Sequence, residues 1–360
     1  MTRHIPYLDG WRGLAIACLL AGHFFPIPGM NLGTIGVALF FVLSGLLMSR
    51  VLFLQNMNIG VFYRRRIARV FPSVAVYLTA VTGLYLAMGL EFDAAELLTA
   101  LTFTNNYFVT DHWTMPFGHI WSLSVEEHSY VILSLAALWC RSKGGRGIAA
   151  VGLILAFSLA SIAIYAIFFD EGSSHFTLRT EVASFGIFAS GFLMLLSAHR
   201  RIRLENEWIA PLALAVGIGC HWWSIPAAVK IGIGWGALAI SINTMQYAVT
   251  RFARFFELVW LRKLGLYSFS LYLWQQPFYQ LYRHHGLHPG LGLMLSLGAG
   301  YAAFHLVEHP LRSYLNTHWR AQPATAVTPD CRIARPDGAR ADGVKATHPR
   351  DLGPCRAEGL

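Results

Sequence analysis

Ten stretches of this 360-residue chain are long and apolar enough to cross a lipid bilayer, at roughly 10–27, 33–53, 70–90, 119–140, 148–169, 178–198, 207–224, 228–248, 264–284 and 290–308. A hydrocarbon core about 30 Å thick takes ~20 helical residues, and inside it each backbone polar group must be satisfied along its own helix. The connections between the stretches alternate in charge. Those after the second, fourth, sixth and eighth hold Arg64, Arg65, Arg66 and Arg69; Arg141, Lys143 and Arg146; Arg200, Arg201 and Arg203; and Arg251, Arg254, Arg262 and Lys263. The intervening connections, 28–32, 91–118, 170–177, 225–227 and 285–289, hold no Lys or Arg and carry Glu91, Asp93, Glu96, Asp111, Asp170 and Glu171 instead. Basic residues stay on the cytoplasmic side. The pattern therefore predicts an all-α membrane protein, a polytopic bundle of about ten transmembrane helices with both termini cytoplasmic.

Composition agrees. Charged residues make up 13% of the chain and hydrophobic ones 55%, against roughly a quarter charged in soluble domains. The net charge of +9 is accounted for by the cytoplasmic loops, so no nucleic-acid partner is expected. The first apolar run carries Arg12 and is not cleanly followed by a small-residue cleavage site, so it is expected to remain as a span. Five scattered cysteines show no metal-ligand spacing, and no metal is expected. Residues 1–316 are expected to form the transmembrane domain. From 317 to 360 the chain turns to Pro, Ala, Arg, Asp and Gly, with too little apolar surface to pack, and is expected to be a disordered cytoplasmic tail.

Polar residues inside the apolar stretches carry the chemistry. Arg12 and His23 lie eleven residues apart in the first, nearly three turns, so they share a face and the imidazole sits ~16 Å deeper. Alone, Arg12 would read as a snorkelling anchor and His23 as a packing histidine. Together they point to a site reaching from the cytoplasmic edge to the middle of the membrane. Arg66 and Arg69 share a face at the next cytoplasmic edge, and with Arg12 would suit a phosphorylated cofactor, since guanidinium forks bind phosphate bidentately. His119 opens the fourth stretch from outside, and Glu126 and Glu127 follow ~10–12 Å along it. Adjacent helical residues point about 100° apart, so at most one of the two carboxylates faces a common cavity. A carboxylate beside His23 would hold its tautomer. Ser268 and Tyr272 in the ninth stretch are hydrogen-bonding hydroxyls of the kind that join membrane helices. Glu308, at the end of the tenth, is placed to pair with the arginine cluster.

In order along the chain, YLDGWRGLAI with Arg12 and His23, GVALFFVLSGLL (36–47), FYRRRIARVFP (62–72), HIWSLSVEE (119–127), LGLYSFSLYLW (264–274) and VEHPLR (307–312) resemble the acyltransferase 3 family of integral-membrane acyltransferases, which includes O-antigen and exopolysaccharide O-acetylases. The resemblance implies an enzyme of the cytoplasmic (inner) membrane. It would transfer an acyl group, usually acetyl, from cytoplasmic acyl-CoA to a hydroxyl of an envelope carbohydrate such as lipopolysaccharide or a lipid-linked glycan. It implies His23 and Glu126 as catalytic and Arg12, Arg66 and Arg69 as contacts to the coenzyme A phosphates. His119, Glu127, Ser268, Tyr272 and Glu308 would be substrate-binding or structural. The chain departs from the family at Phe269, where tyrosine is usual between the two serines, at Gln275, where histidine is common, and at His128-Ser129-Tyr130. A transporter or flippase of a glycan precursor is the alternative from another class, since buried His and Glu suit proton coupling. It lacks support from any internal repeat or paired broken helices.

Overall fold

The computed structural model describes residues 5–108, 114–143, 147–169, 175–199, 201–202 and 204–319. Among them every extended element is helical, apart from isolated bridges joining Met30 to Ile27 and to Trp222. In chain order the helices are α1 (Pro6–Phe24), α2 (Leu32–Leu54), α3 (Ile59–Ala87), α4 (Ala94–Leu101), α5 (Trp121–Lys143), α6 (Gly147–Phe168), α7 (Thr180–Ala198), α8 (Ile209–Gly219), α9 (Ala227–Tyr247), α10 (Thr250–Phe256), α11 (Val259–His285) and α12 (Pro289–His318). Six of these, α2, α3, α6, α7, α9 and α12, are long and apolar enough to cross a membrane. The protein is an all-α, multi-pass membrane protein. Arg146, Arg200, Arg203, Asp111, Asp170 and Glu171 of the charge alternation lie outside the described residues, as does the expected tail from Arg320 onward.

Helices α1, α5 and α11, with 19, 23 and 27 residues, fall short of that hydropathy although they are long enough. They hold Arg12 and His23, Glu126 and Glu127, and the run from Ser268 to Gln276, so the chemistry itself dilutes their apolar character. The outer surface is apolar in the manner of a lipid-facing wall. On α6, Ile167 is 72% and Phe168 74% exposed.

Local rules set the helix starts. Pro6 stands in the first turn of α1, where its missing N–H is no loss. Asn58 caps α3 by accepting from the Gly60 and Val61 amides at 2.8 and 3.3 Å. That cap changes the expected layout. The basic lead-in and the third apolar stretch form one 29-residue helix, ~44 Å long at 1.5 Å per residue, longer than a ~30 Å hydrocarbon core requires. Helical geometry then sorts the arginines: Arg64 and Arg65 are exposed, while Arg66 and Arg69 turn towards the bundle.

Two other boundaries also differ from the sequence expectation. α11 starts at Val259, so Arg262 and Lys263 belong to it, and α12 continues past Glu308 to His318. A π-turn at Phe304–Glu308 rolls Glu308 inward to 3% exposure instead of leaving it at the helix end. Such turns disrupt the regular hydrogen-bond ladder and are frequent at functional positions.

Glycines bring α1 and α11 together. A Cβ on Gly265 would sit 1.9 Å from the Asp9 carbonyl oxygen, and one on Gly13 would sit 1.9 Å from that of Leu261. Small residues at such crossings let membrane helices pack backbone to backbone, where there is no water to drive association. Residues 91–108 and 114–118 are tied down by side-chain hydrogen bonds. Both oxygens of Glu96 accept backbone amides, Thr114 at 2.7 Å and Met115 at 2.8 Å, and Asn106 donates to Thr180 of α7 at 3.0 Å.

Candidate active site

The close α1–α11 crossing sets the orientation of His23. Its Nδ1 meets Gln275 Oε1 of α11 at 2.8 Å. Its ring lies on Tyr279, one turn further along α11, with centroids 4.2 Å apart and planes 18° from parallel. Gln275 is fully buried, and its Nε2 donates to Gln276 Oε1 at 3.0 Å. The imidazole therefore faces protein rather than lipid. Eleven residues earlier on α1, Arg12 donates to Asp9 Oδ1 at 3.0 Å.

The expectation that Glu126 orients His23 is not met in this geometry. Glu126 belongs to a different cluster, built on Arg66. Arg66 Nη2 is 3.2 Å from Glu126 Oε1, Arg66 Nε donates to Glu127 Oε1 at 3.0 Å, and the guanidinium lies 3.8 Å from the Tyr130 ring centroid. The hydroxyls of Ser44 and Tyr130 also donate to Glu126. The reason is geometric. A helix presents Glu126 and Tyr130 on one face, four residues apart, and that face looks at α3 and α2 rather than at the far end of α1. Sequence spacing matched the depths of His23 and Glu126 but could not give their azimuths.

A cavity of about 760 Å³, counting its solvent-facing mouth, opens between α1, α2, α3, α5 and α11. Arg12, Arg66, Arg69, Glu126, Ser268 and Tyr272 all line it, so six of the expected site residues come together from four helices. Its other walls are largely apolar, including Phe40, Phe41, Leu43, Val70 and Phe269. Among the described residues no carboxylate pairs with Arg69, whereas Arg66 is held by two. Glu127 meets the same guanidinium as Glu126 but is not among the residues that line the cavity. Glu308 lies outside it and accepts from Ser270 Oγ at 2.6 Å.

Tyr272 is tied to the fourth apolar stretch from its place in the cavity wall. Its hydroxyl pairs with Ser122 at 2.6 Å and donates to the backbone carbonyl of His119. Gln275 is three residues further along α11, ~4.5 Å by helical rise, and neither it nor His23 is among the residues that line the cavity. Next to Tyr272, 5.2 Å between ring centroids, lies His119. Its ring is buried with neither nitrogen in a hydrogen bond of ordinary geometry, and the Leu273 carbonyl is the backbone group that faces it. Buried polar atoms of this kind are rare and call for a water or a reacting partner. Among the described residues no group of three or more His, Cys, Asp or Glu comes together in a way that could hold a metal ion.

Sequence reasoning missed three participants. Ser44 and Tyr130 lie within or beside quoted motifs, but nothing in their spacing marks them as partners of Glu126. Gln275 was visible only as a departure from a pattern. An amide pair in the middle of an apolar stretch is the signal that could have found it, because buried amides need partners.

Over residues 5–307 the chain matches the profile of a family described as an acyltransferase domain. It is 27% identical over 286 residues to a protein of Komagataeibacter xylinus provisionally named membrane-bound transacylase BcsY, covering 75% of this chain and 72% of that one. To peptidoglycan O-acetyltransferase OatA of Listeria monocytogenes it is 22% identical over 313 residues, covering 76% of this chain and 49% of the other. To O-acetyltransferase OatA of Staphylococcus aureus it is 24% identical over 322 residues, 76% of this chain and 50% of the other. The chain thus spans about half the length of these two O-acetyltransferases. No solved structure matches it.

Proposed function

The chain belongs to the acyltransferase 3 family, and from that membership we propose that it moves an acyl group, acetyl in the first instance, from cytoplasmic acyl-CoA to a hydroxyl of an envelope or exported carbohydrate. The observation that supports the donor side of this reading is a cavity lined by Arg12, Arg66 and Arg69 together with apolar side chains; His23 lies further along the same helix as Arg12 and is not among its lining residues. The nucleotide of coenzyme A is polyanionic and stays with the guanidinium groups. The pantetheine arm is apolar enough for the walls of Phe40, Leu43 and Val70, and long enough to carry a thioester across the ~16 Å between Arg12 and His23. Two carboxylates already neutralise Arg66, so the phosphates fall first to Arg69 and Arg12, while Arg66 and Glu126 hold the cavity wall in shape.

His23 acts on the acceptor in this reading. It takes the hydroxyl proton as the acceptor oxygen attacks the thioester carbonyl, the C–S bond breaks, and the departing thiolate recovers the proton from the imidazolium. The products are an ester and free coenzyme A. A two-step version, in which the imidazole first carries the acyl group, involves the same residues. Water exclusion by the surrounding helices protects either course from hydrolysis.

This reading includes ten membrane crossings with both termini cytoplasmic, a transmembrane domain over 1–316 followed by a cytoplasmic tail over 317–360, and residence in the inner membrane. The name of the Listeria monocytogenes relative, a peptidoglycan O-acetyltransferase, supports a polymer acceptor; the sugar and its hydroxyl are left open. The test is incubation of membranes containing the protein with radiolabelled acetyl-CoA and envelope glycans. Label in the glycan with release of free coenzyme A is the expected result. Glycan movement without coenzyme A release would favour the transporter reading instead.

A further inference from the structure

Resting on the reading above, we infer that Gln275 is a positioning residue that fixes the tautomer of His23 and leaves Nε2 as its reacting atom. Three observations carry this. The Gln275 amide is itself held, because its Nε2 donates to Gln276 Oε1, which turns its carbonyl oxygen to the imidazole. An oxygen at 2.8 Å from Nδ1 accepts a proton that Nδ1 carries, and a neutral imidazole then has its lone pair on Nε2. The stacked Tyr279 ring stops the imidazole turning about its Cβ–Cγ bond, so the hydrogen bond and the stack together set both plane and direction.

Beside the free nitrogen stands a glycine. Gly33, in the first turn of α2, faces it: even a Cβ there would lie 3.7 Å from Nε2 and 3.6 Å from Cδ2, in van der Waals contact. A glycine therefore leaves space beside the atom that must approach a carbonyl or a hydroxyl. The groups facing the ring are Gln275 and Tyr279 of α11, Gly33 of α2 and, within electrostatic reach, His119 ahead of α5. Among the described residues none that pairs with it is a carboxylate. An amide orients the imidazole as a carboxylate would, but it supplies no countercharge when the ring becomes cationic.

The test uses the full-length protein with Gln275→Met, Gln275→Glu and His23→Ala, and reads two quantities. The first is ring-nitrogen NMR of histidine-labelled protein in detergent, with His23 assigned by its loss in His23→Ala. A protonated Nδ1 and a pyridine-type Nε2 are expected, and the reverse tautomer overturns the inference. The second is the pH profile of transfer from radiolabelled acetyl-CoA to glycan in membranes. Gln275→Met lowers kcat on the order of 10–10²-fold, the loss typical of a misplaced reacting group, with KM for acetyl-CoA unchanged. Gln275→Glu retains transfer, and the acidic limb of its profile moves to higher pH because an anion stabilises the imidazolium. Wild-type kcat in the Met variant, or an unmoved limb in a folded Glu variant, overturns the inference. If the Met variant does not accumulate, the Glu profile and the NMR tautomer decide. Wild-type transfer by His23→Ala would bring down the proposed function itself. Loss there with unaffected Gln275 variants would bring down this inference alone.

Discussion

The guanidinium of Arg66 on α3 meets the carboxylate of Glu127 on α5 at 3.0 Å, and the same guanidinium reaches Glu126 at 3.2 Å. The side chains are only 10%, 15% and 17% exposed. This triad is therefore a structural joint of the cavity wall, and it separates arginines that look equivalent in sequence.

Arg66→Ala leaves two carboxylates buried without their cation, a change that costs about 3–5 kcal/mol in comparable buried pairs. The expected outcome is reduced abundance and a lower unfolding temperature in detergent, measured alongside activity. Normal stability with only weaker donor binding would return Arg66 to the role of phosphate contact.

Arg69→Ala should behave oppositely. It lines the cavity with no carboxylate partner among the described residues, so its loss leaves the fold intact. Losing a charge-assisted contact worth about 1.5–3 kcal/mol weakens coenzyme A binding on the order of 10–10²-fold. Calorimetry with coenzyme A in detergent measures this directly, and unchanged affinity would count against donor binding in this cavity.

His23→Ala should lower transfer by at least about 10²–10⁴-fold, the range for a lost proton-transfer group, with normal membrane insertion. Activity within a few-fold of wild type would remove the catalytic assignment.

Gly265→Ala tests the α1–α11 crossing. The new Cβ would start 1.9 Å from the Asp9 carbonyl oxygen, so the helices must part and the His23–Gln275 contact with them. Low folded yield and loss of transfer are expected. Gly83→Ala, where nothing lies within 4 Å, is the control and should be neutral or slightly stabilising. Equal behaviour of the two variants would mean that the crossing is looser than described.

The helical, membrane-spanning character of the chain and the polar residues that share each helix could be read from the chain, because they depend on composition and spacing along one helix. Arg12, Arg69, Ser268 and Tyr272 were found that way and do meet at one cavity. Partners could not be found that way. Spacing alone offered Glu126 as the partner of His23, and only the packing of α5 against α3 and of α1 against α11 assigns the carboxylate to Arg66 and the Gln275 amide to the imidazole. Depth follows from rise per residue, a local quantity. Azimuth follows from which helix faces meet, and here that is settled by backbone contacts at Gly13 and Gly265 between segments some 250 residues apart.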